Sequence, residues 1–149
     1  MTDIRVNSLG RWIAGSAVAL SVVVALAASA RAQDGATPAP KPTLVYVSAQ
    51  DCVIRRSWER SNKPAFEASA ERRAVEFREV QNRSLRDIKQ KASWPDDLEW
   101  LRQQIPGGGT PRWFLIRDQS VVASGFGIKG WEESILPAVE LVAEMQKPR

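Results

Sequence analysis

The chain has 149 residues, a formal net charge of +4 and no histidine. The absence of imidazole excludes Cys-His dyads, Ser-His-Asp triads and every zinc pattern built on histidine, and the sequence offers no metal-binding or cofactor-binding motif. Cys52 is the single cysteine. With no internal disulfide partner it is a buried inert side chain, an intermolecular bridge or a free reactive thiol.

The N-terminus reads as a secretory signal. Arg5 and Arg11 make a positive start, residues 13–28 are apolar or small without a charge, and Ala30-Arg31-Ala32 sets small residues at cleavage-site positions. Residues 1–32 are therefore a signal peptide cut after Ala32. The competing reading is an uncleaved membrane anchor, although the uncharged run is shorter than the ~20 residues of a spanning helix. Arg5, Arg11 and Arg31 against Asp3 place +2 of the formal +4 in this leader, so the remainder is only weakly basic. Its Arg72, Arg73, Arg78, Arg83 and Arg86 alternate with Glu71, Glu76, Glu79 and Asp87 as on a solvated mixed-charge face, without the basic footprint of nucleic-acid binding.

Residues 33–42 are rich in Ala and Pro without an apolar period and read as a disordered spacer. Residues 43–146 suffice for one small domain and not for two. Leu44-Val45-Tyr46-Val47 predicts a strand, and residues 53–70 a helix with Val53, Ile54, Trp58 and Phe66 as its apolar stripe, kinked or restarted near Asn62-Lys63 by Pro64. Residues 74–80 nearly alternate and predict a second strand. Ser84 with Asp87 resembles a capping box ahead of Leu85 and Ile88, and Pro95-Asp96-Asp97 opens a further helix through Leu98, Leu101 and Ile105, which Pro106-Gly107-Gly108-Gly109 stops. Trp113-Phe114-Leu115-Ile116 and Val121-Val122-Ala123 predict a hairpin about a turn at residues 117–120. Gly125, Gly127 and Gly130 then lead into a last helix with Glu132 and Glu133 in its first turn, Ile135, Val139, Val142 and Met145 on its inner stripe, and a bend at Pro137.

The order β, α, β, α, β, β, α describes an α/β domain: a βαβ unit supplies a parallel pair and a terminal ββα an antiparallel hairpin, giving a central mixed four-stranded sheet flanked by helices. Order alone leaves other small α/β sandwiches open. Trp58, Trp94, Trp100, Trp113 and Trp131 read as core or rim packing, and Gly107-Gly108-Gly109 lacks the Gly-Lys-Ser/Thr of a phosphate loop.

The chemistry lies where the first strand turns into the first helix. There Cys52 meets unpaired backbone N–H groups and the positive end of the helix dipole, both of which favour a thiolate. Asp51 opposes this. Arg55, one helical turn on, either brings its guanidinium near the sulfur, or snorkels into water or pairs with Asp51 or Glu59.

The blocks Thr43-Leu44-Val45-Tyr46-Val47-Ser48-Ala49-Gln50-Asp51-Cys52 and Gly109-Thr110-Pro111-Arg112-Trp113-Phe114-Leu115-Ile116-Arg117-Asp118, with Val121-Val122 and the glycines beyond, resemble an exported bacterial thioredoxin-like protein over nearly all of residues 43–145. The resemblance implies a thioredoxin-like fold and a periplasmic location, or an inner-membrane anchor facing the periplasm if the leader is retained. It also implies a cis Thr110–Pro111 bond beside Cys52, with the Thr110 N–H and C=O available to an extended peptide. Three positions depart from the family pattern. Arg55 replaces the resolving cysteine, giving Cys-x-x-Arg, Asp51 stands where tryptophan is frequent, and Tyr46 stands where thioredoxins hold a buried acidic proton carrier.

Two functions follow from different classes. In one, Cys52 and Arg55 are the catalytic residues of a monothiol site that exchanges disulfides with an exported protein partner or a low-molecular-weight thiol through a mixed disulfide, while Thr110 and Pro111 bind substrate. In the other, the protein is a redox-inactive module that holds an extended segment beside Thr110–Pro111. A third reading is a Cys52-linked homodimer. No nucleic acid is implied, and a membrane enters only if the leader stays.

N-terminal sequencing of the fractionated protein is expected to begin at Gln33. Recovery of residue 1 on membrane-bound protein would establish the anchor instead.

Overall fold

In the computed structural model, which describes residues 40–147, the sheet is built around β1 (Thr43–Ala49), whose Leu44, Val45, Tyr46, Val47, Ser48 and Ala49 are completely buried. A nearly continuous apolar run is what a strand covered on both faces requires. β2 (Glu76–Asn82) pairs with it in parallel from Thr43↔Glu76 to Ala49↔Asn82. β3 (Arg112–Arg117) lies antiparallel on its other side, β4 (Ser120–Phe126) closes the hairpin, and the strand order is β2-β1-β3-β4. The fold is thioredoxin-like: βαβ, then ββα, with helices against the sheet. Residues 1–39, expected to hold a signal peptide and most of the spacer, lie outside the described residues. Lys41 and Pro42, also read as spacer, are bonded to the domain: Lys41 Nζ donates to the Arg73 carbonyl and the Glu76 N–H to that of Pro42.

Each face of the sheet has its own core. Leu44, Tyr46, Trp113 and Leu115 pack against α1 (Val53–Ser61), α2 (Lys63–Ala68), α3 (Ala70–Ala74) and the last helix. Trp58, Phe66, Trp113 and Trp131 carry much of this layer, with Trp58 and Trp131 edge to face at 5.0 Å. On the other face Val45, Val47, Val80, Phe114 and Ile116 meet Trp94, Leu98, Leu101 and Ile105. Trp100 is half-buried at the margin of this second core.

Several boundaries differ from expectation for identifiable reasons. The first helix does end before Asn62, and Pro64 falls in the opening turn of α2, where a missing N–H costs nothing. Val53 and Ile54 do not join its stripe. They occupy the first turn at the corner and are 64% and 47% exposed. The second strand starts at Glu76 and not Ala74, because Ser69 caps α3 by accepting the Arg72 N–H and carries that helix through Ala74. No helix forms at Ser84. Its hydroxyl donates to Asp51 and accepts from the Arg86 N–H, while Asp87 accepts from the Gln90 side chain, so neither end of a capping box exists. The helix after Pro95 is a 3₁₀ turn (Asp96–Leu98) followed by the short α4 (Glu99–Gln103), and Ile105 is buried beyond its end.

The last helix runs as α5 (Gly127–Gly130), a π turn (Trp131–Ile135) and α6 (Leu136–Met145). Pro137 has no N–H for the preceding turn, and the backbone widens just before it, the Leu136 N–H reaching back to the Trp131 carbonyl. Ile135, Val139 and Val142 face inward, whereas Met145 is 60% exposed and Ala143 is buried in its stead. Where this helix crosses β4, a Cβ on Gly125 would lie 2.5 Å from the Gly130 carbonyl oxygen, so the close approach excludes any side chain there.

The β3–β4 hairpin turns on Asp118 and Gln119, with φ of 50° and 57°. A two-residue loop with both centres left-handed matches strand twist, but it favours Asp-Gly, and Gln119 carries a Cβ in a region that disfavours one. Gln119→Gly is expected to stabilise the domain by about 0.5–1 kcal/mol, a rise of roughly 4–8 °C per kcal/mol in a domain of this size. Thermal unfolding followed by circular dichroism measures it, and an unchanged or lower midpoint would contradict the assignment.

Candidate functional site

β1 ends at Ala49, and the chain turns through Gln50 and Asp51 to Cys52, the N-cap of α1, which has extended backbone at φ −81° and ψ 118°. The corner is tightly bonded. The Cys52 N–H donates to the Ala49 carbonyl at 3.1 Å, and the Gln50 N–H to that of Asn82 at 3.0 Å. The Asn82 side-chain amide donates to the Ser48 carbonyl at 3.0 Å. Asp51 accepts the Leu85 N–H at 2.9 Å and the Ser84 hydroxyl at 3.0 Å, so its carboxylate ties residues 84–85 to the corner. Ser84 carries a capping-type signal, but its hydroxyl donates to a carboxylate 33 residues away in sequence.

Cys52 is 4% exposed and packs with Ala49 and Ile88. Its sulfur stands where a helix N-cap oxygen would, accepting the Arg55 N–H at 3.4 Å. The thiol proton is directed elsewhere: Sγ donates to the Thr110 carbonyl at 3.0 Å. The fold thus brings together Cys52 and Thr110, 58 residues apart. The Thr110–Pro111 peptide bond is cis, and the Pro111 carbonyl accepts the Gly127 N–H at 3.0 Å. The Cys52 S–H takes one of the two acceptor directions of the Thr110 carbonyl oxygen.

Arg55 reaches the sulfur through its backbone N–H, and its guanidinium pairs with Glu59 at 3.5 Å, one turn further along α1. Of the readings left open by the sequence, the ion pair with Glu59 is the one observed. Glu59 Oε1 also accepts the Tyr46 hydroxyl at 3.5 Å. Neighbouring Glu79 holds Lys63 and the Ser48 hydroxyl, each at 3.3 Å, so a mixed-charge cluster lies between α1, α2 and the strands.

Tyr46 lies between Trp113 and Phe77, nearly parallel to both rings. Burial raises its phenol far above the ordinary value, the Glu59 and Glu79 carboxylates add to this, and Arg55 acts the other way. Tyr46 is therefore a neutral hydrogen-bond donor and accepts no proton from Cys52 in the role of a buried acid.

Val53 and Ile54 follow the sulfur and are exposed, as are the polar Gln50 and Asp51 before it, while Phe126, 54% exposed, lies against Gly109 of the loop before Thr110. The chemistry available is that of one sheltered thiol. Glu59, Phe126 and Arg112, whose side chain binds the carbonyls of the loop before Thr110, were not marked as site residues by the sequence. Their contribution depends on contacts between separate elements, which carry no local signature.

No protein-family model and no curated protein matches the chain. Among solved structures, the periplasmic thioredoxin SoxS from Paracoccus pantotrophus, in its reduced form, is similar to 72% of this chain over 100% of its own length, with 16% identity and a TM-score of 0.48.

Proposed function

We propose that the protein is an exported monothiol thiol-disulfide exchange protein acting on a protein partner through a mixed disulfide at Cys52. The observation that carries this reading is the placement of a helix-capping sulfur against the carbonyl that precedes a cis proline. Exchange begins when the thiol yields its proton to solvent and the thiolate attacks one sulfur of a partner disulfide. A Cys52–partner S–S bond forms, the partner's own S–S bond breaks, and its second sulfur leaves as a thiolate that takes up a proton. The Cys52 sulfur is oxidised and the leaving partner sulfur reduced, so the step needs no outside oxidant or reductant. Release requires attack on the mixed disulfide by the partner's freed thiol or by an external one, since the chain contains no second cysteine.

The loss of the S–H has a structural effect. A mixed disulfide no longer donates to the Thr110 carbonyl, which frees that acceptor direction for an N–H of the bound segment, so covalent capture and backbone pairing support each other. With Val53 and Ile54 exposed after the sulfur and Phe126 against the loop before Thr110, the favoured partner cysteine is flanked by apolar residues.

The Arg55–Glu59 pair is the observation that favours the other reading, a redox-inactive module, because a guanidinium engaged one turn away gives less support to a thiolate. The two separate on reactivity. The folded chain is expected to form a Cys52 adduct with an aromatic disulfide reagent, read by intact mass and absent in Cys52→Ser. Arg55→Ala should change that rate by less than about fivefold, the range of a pair worth up to ~1 kcal/mol. Arg55→Cys should acquire an internal disulfide and dithiol reductase activity. A native Cys52 that reacts only after unfolding would leave the binding module as the function.

A further inference from the structure

We propose that Arg112 is a positioning residue whose guanidinium sets the Thr110 carbonyl on the Cys52 thiol. The inference rests on the reading of Cys52 as the reactive group of the site, and its test does not require exchange activity.

Arg112 opens β3, opposite Val47 on one side and Phe126 on the other. Its Nε donates to the Gly109 carbonyl at 3.0 Å, and its Nη2 to those of Pro106 at 2.8 Å and Gly108 at 3.0 Å. The guanidinium lies over the Phe126 ring, 4.6 Å from its centre. None of the ion pairs among the described residues includes Arg112. Burial works against its charge, and three carbonyl dipoles and one aromatic face answer it.

Three carbonyls from a four-residue stretch converge on one cation only if the backbone turns sharply, and Gly107 and Gly109 do so with φ of 63° and 100°. A Cβ at Gly109 would stand 3.2 Å from the Phe126 ring, so ring and guanidinium together define where the loop lies. Thr110 comes next, with Gly109 held by Arg112 on one side and Pro111 held by the Gly127 N–H on the other. Its carbonyl direction is fixed from both ends.

Alternation along β3 puts Arg112 on the face of Phe114 and the second core, while Trp113 and Leu115 face α1. Arg112 thus acts on the sulfur only through the loop. The planar fork matters here, because a lysine ammonium is a point charge that cannot hold carbonyls at two nitrogens in fixed directions.

A single cysteine makes the infrared S–H stretching band of the reduced full chain a direct reading of the Cys52–Thr110 hydrogen bond, and Cys52→Ser identifies it by its loss. Arg112→Met is expected to shift the band to higher frequency as that bond weakens. Arg112→Lys should fall between Arg112→Met and the native protein. A folded Arg112→Met with the band at its native position would overturn the proposal, leaving Arg112 a residue of stability alone, visible as a lower melting temperature without a spectral shift. If Arg112→Met fails to fold, Arg112→Lys carries the test, and a native band there overturns it equally. A shifted band in a chain whose native Cys52 forms no disulfide adduct would uphold the positioning role while removing the exchange function.

Discussion

Burial of β1 from Leu44 to Ala49 is the constraint on which the rest of this structure depends. A strand covered on both faces needs two separate apolar layers, and the chain supplies one from its first helices and its last, with Trp58, Phe66 and Trp131, and the other from the segment between β2 and β3, with Trp94, Leu98 and Leu101. It also needs a paired neighbour at each edge, which β2 and β3 provide. Because β1 is held so firmly, its C-terminal end is a fixed point. Cys52 follows three residues after that end, and the cis-proline loop leads into the strand paired alongside. The geometry at the sulfur is in this sense inherited from the middle of the sheet.

Much of this was legible from local pattern. The apolar runs of β1 and β3 predicted buried strands, the Pro64 break and the two-residue turn before Ser120 fell where their residues suggested, and the mixed sheet followed from element order. What could not be read has a common cause. Ser84 and Asp87 match a helix start in isolation, but Asp51 takes the Ser84 hydroxyl and the Leu85 N–H, and a contact across 33 residues leaves no trace in a short window. Val53 and Met145 fit an apolar helical period, yet each sits at a helix end that projects beyond the core. Periodicity describes which face is apolar and does not say how much of that face the neighbours cover.

The candidate site divides in the same way. Cys52 at the strand-to-helix corner stood out by residue type and position, because helix capping is local, whereas Thr110–Pro111 was marked only by the resemblance of its block. The partner of Arg55 was one of several open choices, and Glu59 won, placing the guanidinium, the Tyr46 hydroxyl and a carboxylate in one cluster beneath α1. A tyrosine in this setting conserves charge balance without titrating, since burial and two nearby carboxylates hold its proton in place. The polarity beneath the helix therefore serves packing and orientation.

Arg55 at the third position after Cys52 has a kinetic consequence. In a dithiol site the second sulfur is tethered, and its effective concentration at the first far exceeds that of any free thiol, so a covalent complex opens by an intramolecular step. Here no tethered sulfur exists in the chain. The lifetime of any disulfide formed at Cys52 is set from outside, by the concentration and geometry of the thiol that attacks it. Where that thiol belongs to the captured partner, the partner's own cysteine spacing determines how long the complex lasts. Where it does not, occupancy of Cys52 follows the thiol content of the compartment.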